Sequence, residues 1–395
     1  MPHPANGDTA AAAEAAPPLT RAEAEARLIR RADMVPSTLA FIDCRMPRSE
    51  GKENYSYIGP GVTQSSEQVV NIAEPHGFSL GAAALPPGVV NNLHLHFTAE
   101  VFWVQSGEWT FRWGARGERE TRGGPGDVLS MPTWIFRGFE NVGAEKGFVY
   151  TALGGDDTGG IIWHPSVVRT AVRHGLHLRR DGVMVDTTTG APPPAPGEAV
   201  EPLDDATLDS LRDWSDADMA GRIARAADRR FSRNGLLDSA AGLPGQASAI
   251  APCLGHGMSQ DRDALPPIPG ATGFSLEWLR VEPGNRAGPY RLSEKQALCV
   301  FSGTAEVALN APGEEVRLAA GPGEIVSVPP DAWRSVAAAG SEPVEVVVVT
   351  AGDHRKRPRL HPSLYRAAQE AGWGLDHDGR VAPVRLLPPT AIAAE

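Results

Sequence analysis

The chain reads as an all-β protein made of two copies of one barrel-forming module, and three observations lead there. From Leu39 onward, short apolar runs such as VVNIA, FSLGAAAL, EVFWVQ, EWTFRW, DVLSM and GFVYTAL are punctuated by Gly, Pro and Asn. That texture belongs to antiparallel strands forming a sandwich or small barrel. Gly and Pro number 43 and 35 among 395 residues, which suits short strands joined by turns better than long helices. Finally, the second half repeats the first. GFSLGAAALPPG at 77–88 returns as GFSLEWLRVEPG at 273–284, GPGDVLSMP at 124–132 as GPGEIVSVPP from 321, and WHPSVVRTAVRHG at 163–175 as LHPSLYRAAQEAG at 360–372. The offset is 196 for the first block and 197 for the other two, so the chain is a tandem duplication.

In chain order, residues 1–19 are Ala/Pro-rich without apolar periodicity and read as a tail. Thr20 with Glu23 makes a capping-box pattern, and RAEAEARLIRRAD then reads as a helix. The first module, a metal-binding domain over 20–190, closes with a short helix opened by His164-Pro165-Ser166 and capped at Gly175. His164 recurs as His361 and reads as a helix cap. Residues 191–204, with PPPAPGEA inside, form a linker by composition, the second module covers 205–380, and 381–395 read as a tail. Early in the second module, DDATLDSLRDW and DADMAGRIARAADRR read as helices at the junction or at a subunit interface.

Composition narrows the function classes. A hydrophobic content of 42% supports real cores, and a net charge of −11 argues against nucleic acid or an anionic membrane surface as partner. Three scattered cysteines, Cys44, Cys253 and Cys299, show no CxxC spacing and suggest a reducing compartment. No signal pattern and no run of about 18 apolar residues is present, so the expected location is the cytoplasm.

Chemistry concentrates in GVVNNLHLHFTAEVFWVQSG, Gly88 to Gly107. There His94, His96 and Glu100 have the same parity, which on a strand turns them to one face. Two imidazoles and a carboxylate converging on one point are the ligands of a divalent transition metal. A 2-His-1-carboxylate set of this kind suits non-haem Fe(II), and Zn, Mn, Ni or Co can occupy it too. His76 and His256 are further candidate ligands from loops, and Tyr55 and Tyr57 are candidates to line the site.

These spacings resemble the cupin superfamily. Gly88, His94, His96, Glu100 and Gly107 stand at the places of its first motif, and Gly126, Pro132 and Asn141 at those of its second. The resemblance implies tandem cupin domains, a bicupin of double-stranded β-helix (jelly-roll) barrels with a few flanking helices, with metal held at the barrel mouth. It covers about residues 40–375. The second motif departs from the family: Arg137 stands where a fourth histidine ligand is usual, and Trp134 where glycine is usual. That tryptophan is similar to gentisate dioxygenase-like and quercetinase-like ring-cleaving enzymes, although the gentisate group keeps the histidine and generally lacks the glutamate. In the second module the ligand places hold Tyr290, Leu292 and Gln296, with Arg334 matching Arg137, so that barrel reads as structural, supplying a lid or dimer contacts.

The expected function is a dioxygenase that oxidises a small phenolic, enolic or aromatic carboxylate with dioxygen at Fe(II) on His94, His96 and Glu100. Arg137 is the expected catalytic residue and substrate clamp, and Trp134 and Phe136 are expected to line the pocket. Two alternatives stand beside it. One is a redox-neutral lyase, decarboxylase or isomerase using the metal as Lewis acid; the other is a non-catalytic small-ligand-binding protein. A homo-oligomer, dimer or larger, is expected.

Overall fold

A computed structural model describes residues 16–388. Each repeat forms two antiparallel sheets facing one another. In the first barrel the larger sheet runs, edge to edge, Ile223–Ala224, Val128–Met131, Glu100–Ser106, Gly147–Gly154, Phe78–Leu85, Glu53–Ile58 and Val70–Ile72. All its pairings are antiparallel except the last, which is parallel. The smaller sheet runs Ile162–Trp163, Val90–Leu95, Arg137–Asn141, Trp109–Trp113 and Arg119–Gly123. The second barrel repeats this order with Gln296–Ser302 in place of Glu100–Ser106, Arg334–Ala338 in place of Arg137–Asn141, and Phe274–Val281 in place of Phe78–Leu85. The closing helices Pro165–Arg173 and Pro362–Glu370 also correspond, and His164 and His361 cap them by accepting from the backbone N–H of Ser166 and Ser363.

The strands of the large sheets are apolar on both faces because both faces are buried. Along Glu100–Ser106, Phe102 and Val104 point into the first barrel with Trp109, Phe111 and Leu129. Val101 and Trp103 point out into a second core shared between the barrels, where Tyr57, Phe78 and Tyr150 meet Phe274, Trp278 and Val347. Trp103 stacks on Tyr150 at 4.7 Å, and the Tyr150 hydroxyl donates to the Gly323 carbonyl at 2.7 Å, tying one barrel to the other.

Two arms cross between the barrels. Leu28–Ile29 pairs with Val326 and Ile325 of the second barrel, and Ile223–Ala224 pairs with Leu129 and Val128 of the first. This corrects the helix expected over RAEAEARLIRRAD. The capping box of Thr20 and Glu23 is present, but the helix spans only Arg21–Glu25 before Leu28 and Ile29 take a sheet edge that buries them both. The second junction helix is shortened likewise, to Asp216–Ala220, because Ile223 and Ala224 are drawn into the first barrel's sheet. Leu28–Ile29 thus adds an edge strand to the second barrel and Ile223–Ala224 one to the first. Of the terminal segment 381–395, Val381–Pro383 pairs with Trp373–Leu375 and Val384–Leu386 forms a 3₁₀ turn, while 389–395 lie outside the described residues, as do 1–15. Residues 191–204 hold neither helix nor strand beyond an isolated bridge from Ala199 to Arg179. Among the described residues no helix is long and apolar enough to cross a membrane.

Candidate metal centre

The strand Val90–Leu95 and the residue after it carry His94 and His96 into the first barrel, and Glu100 opens the next strand. One ligand atom from each lies within 4.8 Å of the others, and all three side chains are buried. Glu100 Oε2 is 3.9 Å from His94 Nε2 and 3.6 Å from His96 Nε2. The backbone sets which ring nitrogen is free. His94 Nδ1 is 2.7 Å from the Asn92 carbonyl and His96 Nδ1 3.2 Å from the Gly160 carbonyl, so each donates its Nδ1–H there. Both Nε2 lone pairs then face the carboxylate, the orientation that outer partners impose on metal-ligating histidines.

Electrostatics favour the ligand forms. Burial pushes His96 down to about 3, against the pull of Glu100, so its imidazole is neutral at neutral pH. Burial pushes Glu100 up, but His96, His94 and Arg137 more than offset it and hold the carboxyl at about 2. The centre thus presents a neutral His96 imidazole and a Glu100 carboxylate. His96 Nε2 and Glu100 Oε2 are buried without a hydrogen-bond partner, a costly state for a polar core unless a further group satisfies them. A divalent cation fits this donor set.

Arg137 lies directly opposite His94 across the strand pair, fully buried, with Nε 3.9 Å from Glu100 Oε2. Its Nη2 donates to the Pro132 carbonyl, while Nε and Nη1 have no partner. Burial lowers its pKa to about 10 against the attraction of Glu100, which leaves it cationic at neutral pH.

The side chains of His94, His96 and Glu100 open onto a cavity of about 60 Å³. Its wall includes Phe41, Tyr55, Ser79, Asn91, Phe139, Thr151, Ile161 and Trp163. The remaining sequence-stretch candidates fall elsewhere. Trp134 takes a left-handed backbone (φ 58°) that turns its ring outward, 51% exposed, against Phe97. Phe136 is buried in a small cluster with Leu95 and Leu208, against His164. Neither lines the cavity, so the expected pocket-lining placements of Trp134 and Phe136 are not met, and Arg137 adjoins the cavity wall through Glu100 rather than forming part of it. His76 sits between the barrels against Ser327, and His256 beside Glu277 in the second repeat, both away from the centre. Tyr55 lines the cavity and Tyr57 packs in the shared core.

Asn91 is the functional candidate that parity misses. The strand Val90–Leu95 is irregular, with His94 opposite Arg137 and Asn91 opposite Phe139. Three residues on one strand span two on the other, a bulge that brings Asn91 to the face of His94. The double Asn before HLH was the available signal, since asparagine is poorly suited to a strand interior.

No protein-family model matches the sequence, and no curated protein matches it either. Solved structures do. Oxalate decarboxylase of Lactobacillus farciminis, in complex with formate, aligns with a TM-score of 0.52 at 11% identity, covering 86% of this chain and 90% of that one. Oxalate decarboxylase of Bacillus subtilis aligns with a TM-score of 0.50 at 13% identity, covering 85% of this chain and 79% of that one. The fold is that of a bicupin.

Within this bicupin the second barrel holds a filled version of the same site. Gln296 replaces Glu100 and accepts from Arg334 Nη1 at 2.7 Å, while its amide donates to Thr350 at 2.9 Å. The other donors of Arg334 reach the carbonyls of Ala332, Pro329 and Leu292. Tyr290 and Leu292 are buried in the barrel's apolar core and offer no ligand set.

Proposed function

We propose that the chain is a divalent-metal-dependent enzyme of the bicupin fold that performs redox-neutral lyase or decarboxylase chemistry on a small carboxylate. One observation carries this reading. His96 Nε2, Glu100 Oε2 and two donors of Arg137 are buried and unpaired at one point, beside a cavity only a few atoms wide. Arg334, at the same position of the fold, leaves none of its donors unpaired, so the unpaired donors at this position belong to the first barrel alone among the described residues.

His94, His96 and Glu100 would hold the ion, and the bound ion would act as a Lewis acid toward a carboxylate oxygen. Arg137 adds a fixed positive charge behind Glu100, which favours an anionic substrate and any negative charge that develops on it. Phe41, Trp163, Phe139 and Ile161 keep the wall apolar and limit water, while Ser79, Thr151 and Asn91 offer hydrogen bonds. Apart from the ligands, the titratable side chain of the wall is Tyr55, whose hydroxyl donates to Glu53 and whose pKa burial raises. Protons for the reaction therefore come from water.

Cavity size supports a small substrate over an aromatic one. Benzene occupies a cavity of about 150 Å³ in a protein core, against about 60 Å³ here. Support for the metal and the reaction class comes from the fold: the B. subtilis oxalate decarboxylase has Mn(II) centres. Mn(II) is accordingly proposed first, and Fe(II) second. The test is to load metal-free protein with Mn(II), then assay oxalate and other small carboxylates for CO₂ release, with and without dioxygen. Release without net oxygen uptake supports the reading. Stoichiometric oxygen uptake would move it to the dioxygenase class.

A further inference from the structure

We propose that Asn91 is a substrate-binding residue and that the buried Lys52–Asp43 ion pair positions it, aiming its amide N–H at the carboxylate of the substrate. This deepens, and rests on, the reading of the cavity as a small-carboxylate site.

The orientation of Asn91 follows from its neighbours. Lys52 Nζ donates to Asn91 Oδ1 at 2.9 Å, which fixes the oxygen on the lysine side and turns the NH₂ toward His94. There Asn91 Nδ2 stands 3.4 Å from His94 Nδ1. That nitrogen already carries a hydrogen donated to the Asn92 carbonyl at 2.7 Å, as the free Nε2 requires. Two donors cannot bond each other, so the Asn91 amide hydrogens remain available on a residue that lines the cavity.

Lys52 and Asp43 are both fully buried and bonded to each other. Asp43 Oδ2 also accepts from the backbone and side-chain nitrogens of Asn92, each at 3.1 Å, so the pair braces the segment that presents His94. Lys52 Nζ lies 5.4 Å from the Phe41 ring centroid and 6.0 Å from that of Trp163, two aromatic walls of the cavity. A buried ion pair contributes little net stability compared with apolar residues of the same volume. Its place behind the wall instead polarises the Asn91 amide through Lys52 while keeping the cation itself out of the cavity.

The test uses Co(II)-loaded protein titrated with formate, followed by the visible spectrum, with cobalt content and thermal midpoint measured in parallel. Asn91→Ala is expected to keep one cobalt per chain and bind formate about tenfold more weakly, the loss of one hydrogen bond to a charged group. Asp43→Asn combined with Lys52→Met removes the pair without stranding a charge and is expected to weaken formate to a similar extent. Adding Asn91→Ala to it is expected to cost nothing further, because the pair acts through Asn91. Unchanged formate affinity in Asn91→Ala would overturn the proposal, whatever the stability of the pair variant. Loss of cobalt from Asn91→Ala would also overturn it, making Asn91 a support for His94 alone. Wild-type protein that binds cobalt but ignores formate would overturn the carboxylate reading itself.

Discussion

Arg137 Nε stands 3.9 Å from Glu100 Oε2 with no hydrogen bond between them, both groups buried and each with unpaired atoms. The corresponding pair in the second barrel, Arg334 and Gln296, has closed to 2.7 Å. An Arg–Glu pair that stays apart while the Arg–Gln pair at the same place closes is the arrangement expected if a third group sits between Arg137 and Glu100. The first barrel leaves these buried groups unpaired, whereas the second satisfies them internally.

Glu100→Gln should convert the first site into a copy of the second. Arg137 is expected to bond the new amide, making the metal-free protein as stable as the wild type or more stable by about 1 kcal/mol. Divalent-metal affinity should fall by more than about 100-fold, beyond the loss produced by removing an outer partner. Thermal unfolding of metal-free protein and equilibrium dialysis with Mn(II) check the two halves separately.

Arg137→Met should leave metal binding in place, because Arg137 is not a ligand. In the metal-free protein it strands the buried Glu100 carboxylate at a cost of about 3 kcal/mol. In the metal-loaded protein the ion supplies the missing positive charge and the cost should shrink. Thermal midpoints measured with and without Mn(II) would reveal the difference, and equal losses in both states would count against the placement of Arg137.

Asp238 links the second barrel's stability to pH. Burial raises its carboxyl to about 6, even though it accepts from the backbone N–H of Gly288 at 2.9 Å and of Ser239 at 2.8 Å. The folded state therefore holds this proton more tightly than the unfolded chain, whose value is near 3.8. The contribution to stability is complete below that value and is lost as pH rises through about 6. Asp238→Asn should remove this fall, which is worth roughly 2–3 kcal/mol. Urea unfolding at pH 4, 5, 6 and 7 measures it, and parallel curves for the two proteins would show that Asp238 does not titrate in this range.

The convergence of His94, His96 and Glu100 was legible in the sequence because they obey simple parity and sit between turn glycines. The duplication was legible because turn residues are repeated at a nearly constant offset. Asn91 was not, since a bulge reverses the face it occupies, and bulges depend on the partner strand. Nor were the crossing arms, because Leu28 and Ile29 fit a helical pattern equally well until the edge at Val326 is available. Local propensity proposes a helix there; burial against the other barrel decides for a strand. Trp134 was placed in the pocket by motif position alone, and its left-handed backbone turns it away.

The central claim is that the first barrel holds one divalent cation on His94, His96 and Glu100, and elemental analysis of purified wild-type and His96→Ala protein tests it most directly. One manganese or iron per wild-type chain, with none retained by His96→Ala, is the result expected. Wild-type protein that carries no metal and takes up none of Mn, Fe, Co, Ni or Zn, or uptake undiminished in His96→Ala, would contradict it.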